Sequence, residues 1–407
     1  MLIKLAPVFD YEVKSQSGQK IEGTLEADNE SMLAASLRKK GYYILNIKRK
    51  REGIKLNEIF NLRKKVKLND LAIFARQFSA MINSGISIID ALDILRDQID
   101  HPTLKEAVIA VTEDIETGSD LSESLSKHPD IFPELFIQMV RAGETGGIIG
   151  DVLNRVANHY EKQDELQGKV KSALYYPVTI MVIAILVVIF LMATVVPTFV
   201  NMFADIGAEL PLPTRILIGL SSFMQNYWWL IGIALVALYF LFINYKKSPK
   251  GKLRIDTLIL KIPTVGEMMK KIYLSRFAST LAVLLSSGVD LLAALTIIEG
   301  VVGNSLYAQA ITEARIKVRE GSTLSEPLEN REEFPKLLVH MIKVGEETGA
   351  MSRMLEKVSL FYDREVDRSV EGVVSIIEPV IIVLLGIVIG FVVISIVMPM
   401  FDMYTYL

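Results

Sequence analysis

Three kinds of apolar pattern follow one another along the chain. From Leu68 the apolar positions recur at helical spacing: Leu71, Phe74, Ala75, Phe78, Met81 and Ile82 share one face. Further on come unbroken apolar runs at about Ala173–Val200, Ile216–Ile243 and Val373–Met400. Crossing a bilayer takes about 20 residues, so each run predicts a membrane span. The first 50 residues read differently. FDYEVKSQSGQKIEGTLEA alternates around a glycine-containing turn, which predicts a hairpin. SMLAASLRKKG predicts a helix ending on Gly41, and YYILNIK a strand, giving a small ββαβ module over 1–50.

Punctuation divides the amphipathic stretch after Leu68. Ser84-Gly85, His101-Pro102, Gly118, the turn from Pro129 to Pro133 and the run GETGG break it. Helices are expected near 68–83, 87–99, 103–117, 120–127, 133–142 and from 148 onward. Asp120 with Glu123 fits a capping box, as does Thr323 with Glu326. From Ile148 to about Val196 the one strong interruption is Pro177. At 1.5 Å per residue this predicts a rod of about 70 Å, joining bundle to span and kinked at Pro177, with Pro379 its counterpart.

The pattern is written twice. GSDLSE at 118–123 returns as GSTLSE at 321–326, 203 residues later. The apolar set from Leu71 to Ile82 returns as Leu274, Phe277, Ala278, Leu281, Leu284 and Leu285. Past the hexapeptide the offset becomes 202: Phe132-Pro133 meets Phe334-Pro335, AGETGG (142–147) meets VGEETG (344–349), and Pro177 meets Pro379. A period this long means duplicated domains rather than a solenoid. The expected architecture is all-α. It has two tandem bundles of about six helices each (68–172 and 246–372), spans at 173–200, 216–243 and 373–400, an outer loop at 201–215 and a tail at 401–407.

Charge orients the spans. Lys169 and Lys171 precede the first; Lys246, Lys247, Lys250, Lys252 and Arg254 follow the second; the segment between carries Arg215 with Asp205 and Glu209. Basic flanks stay in the cytoplasm, so both bundles are expected there and the C-terminus outside. MLIKLAPVFDYEVK has no long apolar core or cleavage site, so the N-terminus is expected inside as well. The first and third spans then run parallel, and the unduplicated second span returns the chain. Residues 48–67 hold nine basic residues against two acids, leaving the rest of the chain near −10. This linker, whose core is 51–67, suits anionic lipid, an acidic partner or plain solvation. No aromatic platform accompanies it, so nucleic acid is not expected.

Composition narrows the chemistry. Half the residues are apolar and mean hydropathy is +0.37, yet 22% are charged. There is no cysteine, which removes disulfides, thiolate nucleophiles and cysteine-bound metal centres. No GxxxxGK[ST], HExxH or GxSxG is present, and the four histidines are scattered. Neither catalysis nor a cofactor is expected. Two features remain. Gly143-Glu144-x-x-Gly147 and Gly345-Glu346-x-x-Gly349 read as tight turns presenting a carboxylate. They suit a helix–helix turn, a partner contact, or a divalent cation shared by Glu144 and Asp90; Ala293 stands at the counterpart of Asp90. In the third span, Glu378 lies shallow beside Pro379, and Gly386 and Gly390 form a GxxxG. The first is a functional candidate or an interfacial group; the second serves self-association or packing within the chain.

Two tandem all-α domains with FARQFSAMINSG and RFASTLAVLLSSG openings, GSxLSE turns, Phe-Pro turns, GExxG loops and a proline at the start of a span resemble the platform proteins of type IV pili and type II secretion systems. The resemblance covers about 68–401, and the leading module is similar too. It implies a non-enzymatic, self-associating inner-membrane platform. Its partners would be a hexameric cytoplasmic ATPase, pilins or pseudopilins, and other membrane subunits of the machine. Bundle loops, Glu144 and Glu346 included, would face the ATPase, and the first and third spans the pilins. A transporter or channel built from repeats is the competing class; a membrane-anchored signalling scaffold would leave the duplication unexplained.

Overall fold

The computed structural model describes residues 8–14, 20–26, 32–34, 38, 41–49, 65–198 and 211–406. The chain divides into two compact units, Met1–Lys65 and Val66–Leu407.

The first unit contains a three-stranded sheet. Strands β1 (Val8–Lys14), β2 (Lys20–Glu26) and β3 (Tyr43–Arg49) lie in the order β2-β1-β3. Both pairings are antiparallel. β1 and β2 form the expected hairpin, with Val8 opposite Glu26 and Lys14 opposite Lys20. The β1–β3 register slips between Glu12 and Val13, a bulge that adds twist. Residues 32–34 and 38 are helical, where the sequence predicts the module's helix. Most of the basic linker lies outside the described residues.

The described residues of the second unit form helices and the turns that join them. Its first bundle consists of α1 (Leu68–Asn83), α2 (Ile88–Gln98), α3 (Pro102–Glu116), α4 (Leu121–Ser126), α5 (Glu134–Gly146) and the start of α6 (Ile149–Phe190). Local chemistry sets several boundaries. The Ser87 hydroxyl accepts from the Asp90 amide to start α2. Pro102 occupies the first turn of α3, where its missing N–H costs nothing. α1 packs along α6, and Phe74, Phe78, Phe132 and Phe136 fill the space between helices. Their rings lie 5.4–6.2 Å apart.

Helix α7 (Leu212–Lys247) comes next among the described residues, and α8 (Pro249–Lys261) follows α7 after one residue. The second bundle repeats the first: α9 (Val265–Ser286), α10 (Leu291–Val301), α11 (Ser305–Arg319), α12 (Ser325–Glu329), α13 (Lys336–Thr348) and the start of α14 (Met351–Tyr406). Among the described residues neither α7 nor α8 has a counterpart in the first copy. Phe277 and Phe334, counterparts of Phe74 and Phe132, pack 5.2 Å apart, joined by Tyr307. The buried residues of both bundles form one continuous apolar cluster, and Arg155 donates to the Ser286 carbonyl at 3.2 Å across the seam.

Helices α6, α7 and α14 are long and apolar enough to cross a membrane, and their apolar stretches are almost unburied within the chain. Pro177 and Pro379 both lie inside continuous helix. The departures from α-geometry fall elsewhere. α6 passes into a π-turn at Leu191–Val195, and α7 is interrupted at Tyr227, with φ −119° and ψ 18°.

Candidate functional site

The two repeated motifs of each bundle prove to be halves of one lock. Glu144 lies in the last turn of α5, half-buried, and its carboxylate reaches the start of α4. One oxygen accepts the Leu121 amide at 2.6 Å and the other the Ser122 amide at 3.0 Å. In the second copy Glu346 accepts from the Leu324 amide, from the Ser325 amide at 3.2 Å and from the Ser325 hydroxyl at 2.6 Å. The capping boxes expected at Asp120/Glu123 and Thr323/Glu326 do not form. Asp120 makes no side-chain cap bond, and the Thr323 hydroxyl faces that of Ser325 at 3.3 Å. A helix of five or six residues leaves nearly all its amides orphaned. A carboxylate from a neighbouring helix satisfies two at once and adds a charge at the positive end of the dipole.

The glycines serve the same lock, and the GExxG stretches are mostly helix rather than open turn. A Cβ on Gly143 would stand 3.1 Å from Val152 Cβ and 3.2 Å from Ile149 Cα; one on Gly345 would stand 2.7 Å from Met351 Cα. These glycines let α5 and α13 press against the helices that follow. Gly147 and Gly349, both at φ +67°, then reverse the chain in the left-handed conformation. Asp90 accepts the Ser87 hydroxyl at 2.6 Å. Among the described residues no group of three or more histidine or acidic side chains gathers around a common point.

Below the bundles, α6 and α14 run side by side as a pair of stalks. Leu166, Val170 and Ala173 pack against Val366, Val370 and Val373, and Lys169 pairs with Asp367 at 3.1 Å. Tyr176 donates to Glu378 at 3.3 Å. These two are counterparts in the duplication, each just before its proline. The far ends are held by α7. Thr214 donates to the Ser395 carbonyl at 2.6 Å, Ser221 to the Met192 carbonyl at 2.7 Å and Gln225 to the same carbonyl at 3.4 Å. Met192 lies in the π-turn, whose displaced carbonyls need new donors in an apolar medium. The unduplicated span is thus a clasp as well as a return path. A Cβ on Gly386 or Gly390 would meet nothing within 4 Å, so the GxxxG is not used for packing within the chain.

Where the stalks leave the bundles, α6, α9 and α14 border a half-open pocket of about 260 Å³ lined by His159, Lys162, Ser275, Arg276 and Asp363 among others. Burial, with Arg276 and Lys162 nearby, holds the His159 imidazole down at about 4. Arg276 donates to the Val301 and Val302 carbonyls at 3.3 Å, tying the end of α10 to the seam. In the first bundle Arg76 clamps α1 to α6 through Asn154, Asn158 and Glu161, the last at 2.6 Å. The second bundle replaces this clamp with Lys271–Glu365 at 2.9 Å and a Ser275–Asp363 bond. None of these groups was singled out by sequence pattern. The lock carries a readable signal, since the two motifs recur together in both copies at separations that differ by one residue.

The structure defines a duplicated membrane protein in which paired helical bundles rest on continuous stalks. Known proteins are similar to it in sequence. The family described as type II secretion system (T2SS), protein F matches residues 74–197 and again 277–399, and that family's N-terminal domain matches residues 6–48. The two matches start 203 residues apart and end 202 apart, the register of the duplication. A type IV pilus assembly protein PilC of Thermus thermophilus is 38% identical over 97% of this chain and 98% of its own. That of Myxococcus xanthus is 37% identical over 98% and 96%. A type II secretion system protein F of Pseudomonas aeruginosa is 32% identical over 97% and 98%. The chain belongs to the type II secretion system protein F family and is a multi-pass inner-membrane protein.

Proposed function

We propose that this protein is the non-enzymatic inner-membrane platform of a type IV pilus or type II secretion machine. It couples a cytoplasmic assembly ATPase to the extraction of pilins or pseudopilins from the bilayer. The relatives named above support the machine. The observation that carries the coupling is the unbroken run of α6 and α14 from bundle core to span. Val152 and Leu355 are wholly buried in their bundles, and the same two helices continue into the apolar stretches. A load on either bundle then reaches the membrane without crossing a flexible joint. Charge flanking the spans supports a cytoplasmic position for both bundles, where an ATPase would meet them.

Inserting four glycines after Gln167 tests the coupling. The bundles and spans keep their own cores, so the protein still reaches the membrane, and filament assembly in cells is expected to fall to background. Full assembly with a flexible stalk would overturn the reading. Photo-crosslinkers at Thr145 and Glu347 test the partner: these exposed counterparts lie one residue past the locking glutamates. Capture of an assembly ATPase is expected at one or both.

A further inference from the structure

We propose that α8 is a membrane-surface helix that holds the second bundle against anionic phospholipid headgroups of the inner leaflet. The proposal rests on the orientation given above, with the end of α7 in the cytoplasm.

The position of α8 is fixed at both ends. It follows α7 after Ser248 alone, and a Cβ on Gly251 would stand 2.0 Å from the Tyr245 carbonyl, so its first turn lies directly on the last turn of the span. Arg254 reaches back to the Tyr245 hydroxyl at 3.4 Å. On the other side Asp256 is buried and accepts from the Ser305 amide at 2.8 Å and hydroxyl at 2.6 Å. Asp256 thereby bolts α8 to the start of α11 in the bundle. Along the length of α8 Lys250, Arg254, Leu258 and Lys261 recur at i, i+4, i+8 and i+11, one stripe of the helix. All four are exposed, Leu258 at 62%. No acidic residue interrupts the stripe. Lys246 and Lys247 extend the charge into the last turn of α7, and among the described residues neither they nor Lys250 and Lys261 form an ion pair.

A row of unpaired cations around one exposed leucine, attached without slack to the end of a span, suits headgroup phosphate and the first methylenes beneath it. Charge complementarity commits the surface to lipid.

The absence of native cysteine makes a single probe straightforward. The full chain carrying Leu258→Cys, labelled with an environment-sensitive fluorophore, would be placed in nanodiscs of phosphatidylcholine alone or with a third phosphatidylglycerol. Quenching by headgroup spin-labelled lipid is expected to rise in the anionic discs and to fall again in 0.5 M salt. Combining Lys250→Gln, Arg254→Gln and Lys261→Gln is expected to lower the bound-to-free ratio about 100-fold, at about fivefold per cation. If the triple variant does not fold, Arg254→Gln alone should lower it about fivefold. Equal exposure to aqueous iodide in both kinds of disc would overturn the proposal. So would full displacement by millimolar inorganic phosphate, which would identify a free-anion site instead. Filament assembly is read separately, so failure here leaves the platform reading standing.

Discussion

Glu144 and Glu346 show how much one carboxylate can organise. Each holds the first amides of a helix too short to hold its own, and each does so from a helix more than twenty residues on. Hydrogen bonds to a charged group contribute about 1.5–3 kcal/mol. Glu144→Ala is expected to lower the unfolding free energy of the chain by about 2–3 kcal/mol and to raise amide exchange across α4 before other helices, measurable by hydrogen exchange. A second effect is set by His159, which is buried beside Arg276 and Lys162 and titrates at about 4. The unfolded imidazole, near 6.5, binds its proton first as pH falls. Stability is therefore complete above about 6.5 and is lost progressively toward about 4, by about 3 kcal/mol in all. His159→Gln should flatten that part of the profile in a thermal melt. Sequence pattern pointed to Glu144 but could not say which way its side chain turned, because the receiving amides lie on a separate helix. His159 gave no signal, since its burial arises only where the two bundles meet.

At the scale of elements the duplication is both the strongest regularity and the source of the informative differences. The helices from Leu68 to Phe190 fall close to where periodicity and punctuation predict them, because glycine, proline and serine set local boundaries that packing leaves alone. The one marked miss is α5, expected to end at Ala142 and running on to Gly146. Glycines inside it signal a turn, but here they serve close contact. The two copies differ in tightness at that contact. Gly345→Ala forces a new Cβ onto Met351 backbone, whereas Gly143→Ala meets mainly the Val152 side chain. The first is expected to lower the melting temperature clearly more than the second, in parallel denaturation experiments. Among the described residues α8 and the clasp of α7 have no second copy against which to be read, and their roles come from contacts with elements far away in sequence.

Across the whole molecule, three spans join unlike partners: two counterparts, α6 and α14, and one outsider that holds their far ends. The GxxxG face of α14 is left open by this arrangement, so its occupant would come from outside the chain. Gly386→Leu with Gly390→Leu is expected to reduce the mass of the detergent-solubilised assembly while leaving the monomer folded; unchanged mass would mean that copies meet elsewhere. The stalks carry a further consequence, one of angle rather than of force. A helix advances 100° per residue, so a continuous stalk fixes the compass bearing of its span relative to its bundle. One extra residue in α6 near Gly168 would swing every outer side chain by roughly a quarter of a circle and carry Met192 away from Ser221. About seven extra residues, close to two whole turns, would bring that bearing nearly back. Length added to the stalk should then matter less than the remainder it leaves after whole turns, as in a shaft whose key must still find its slot.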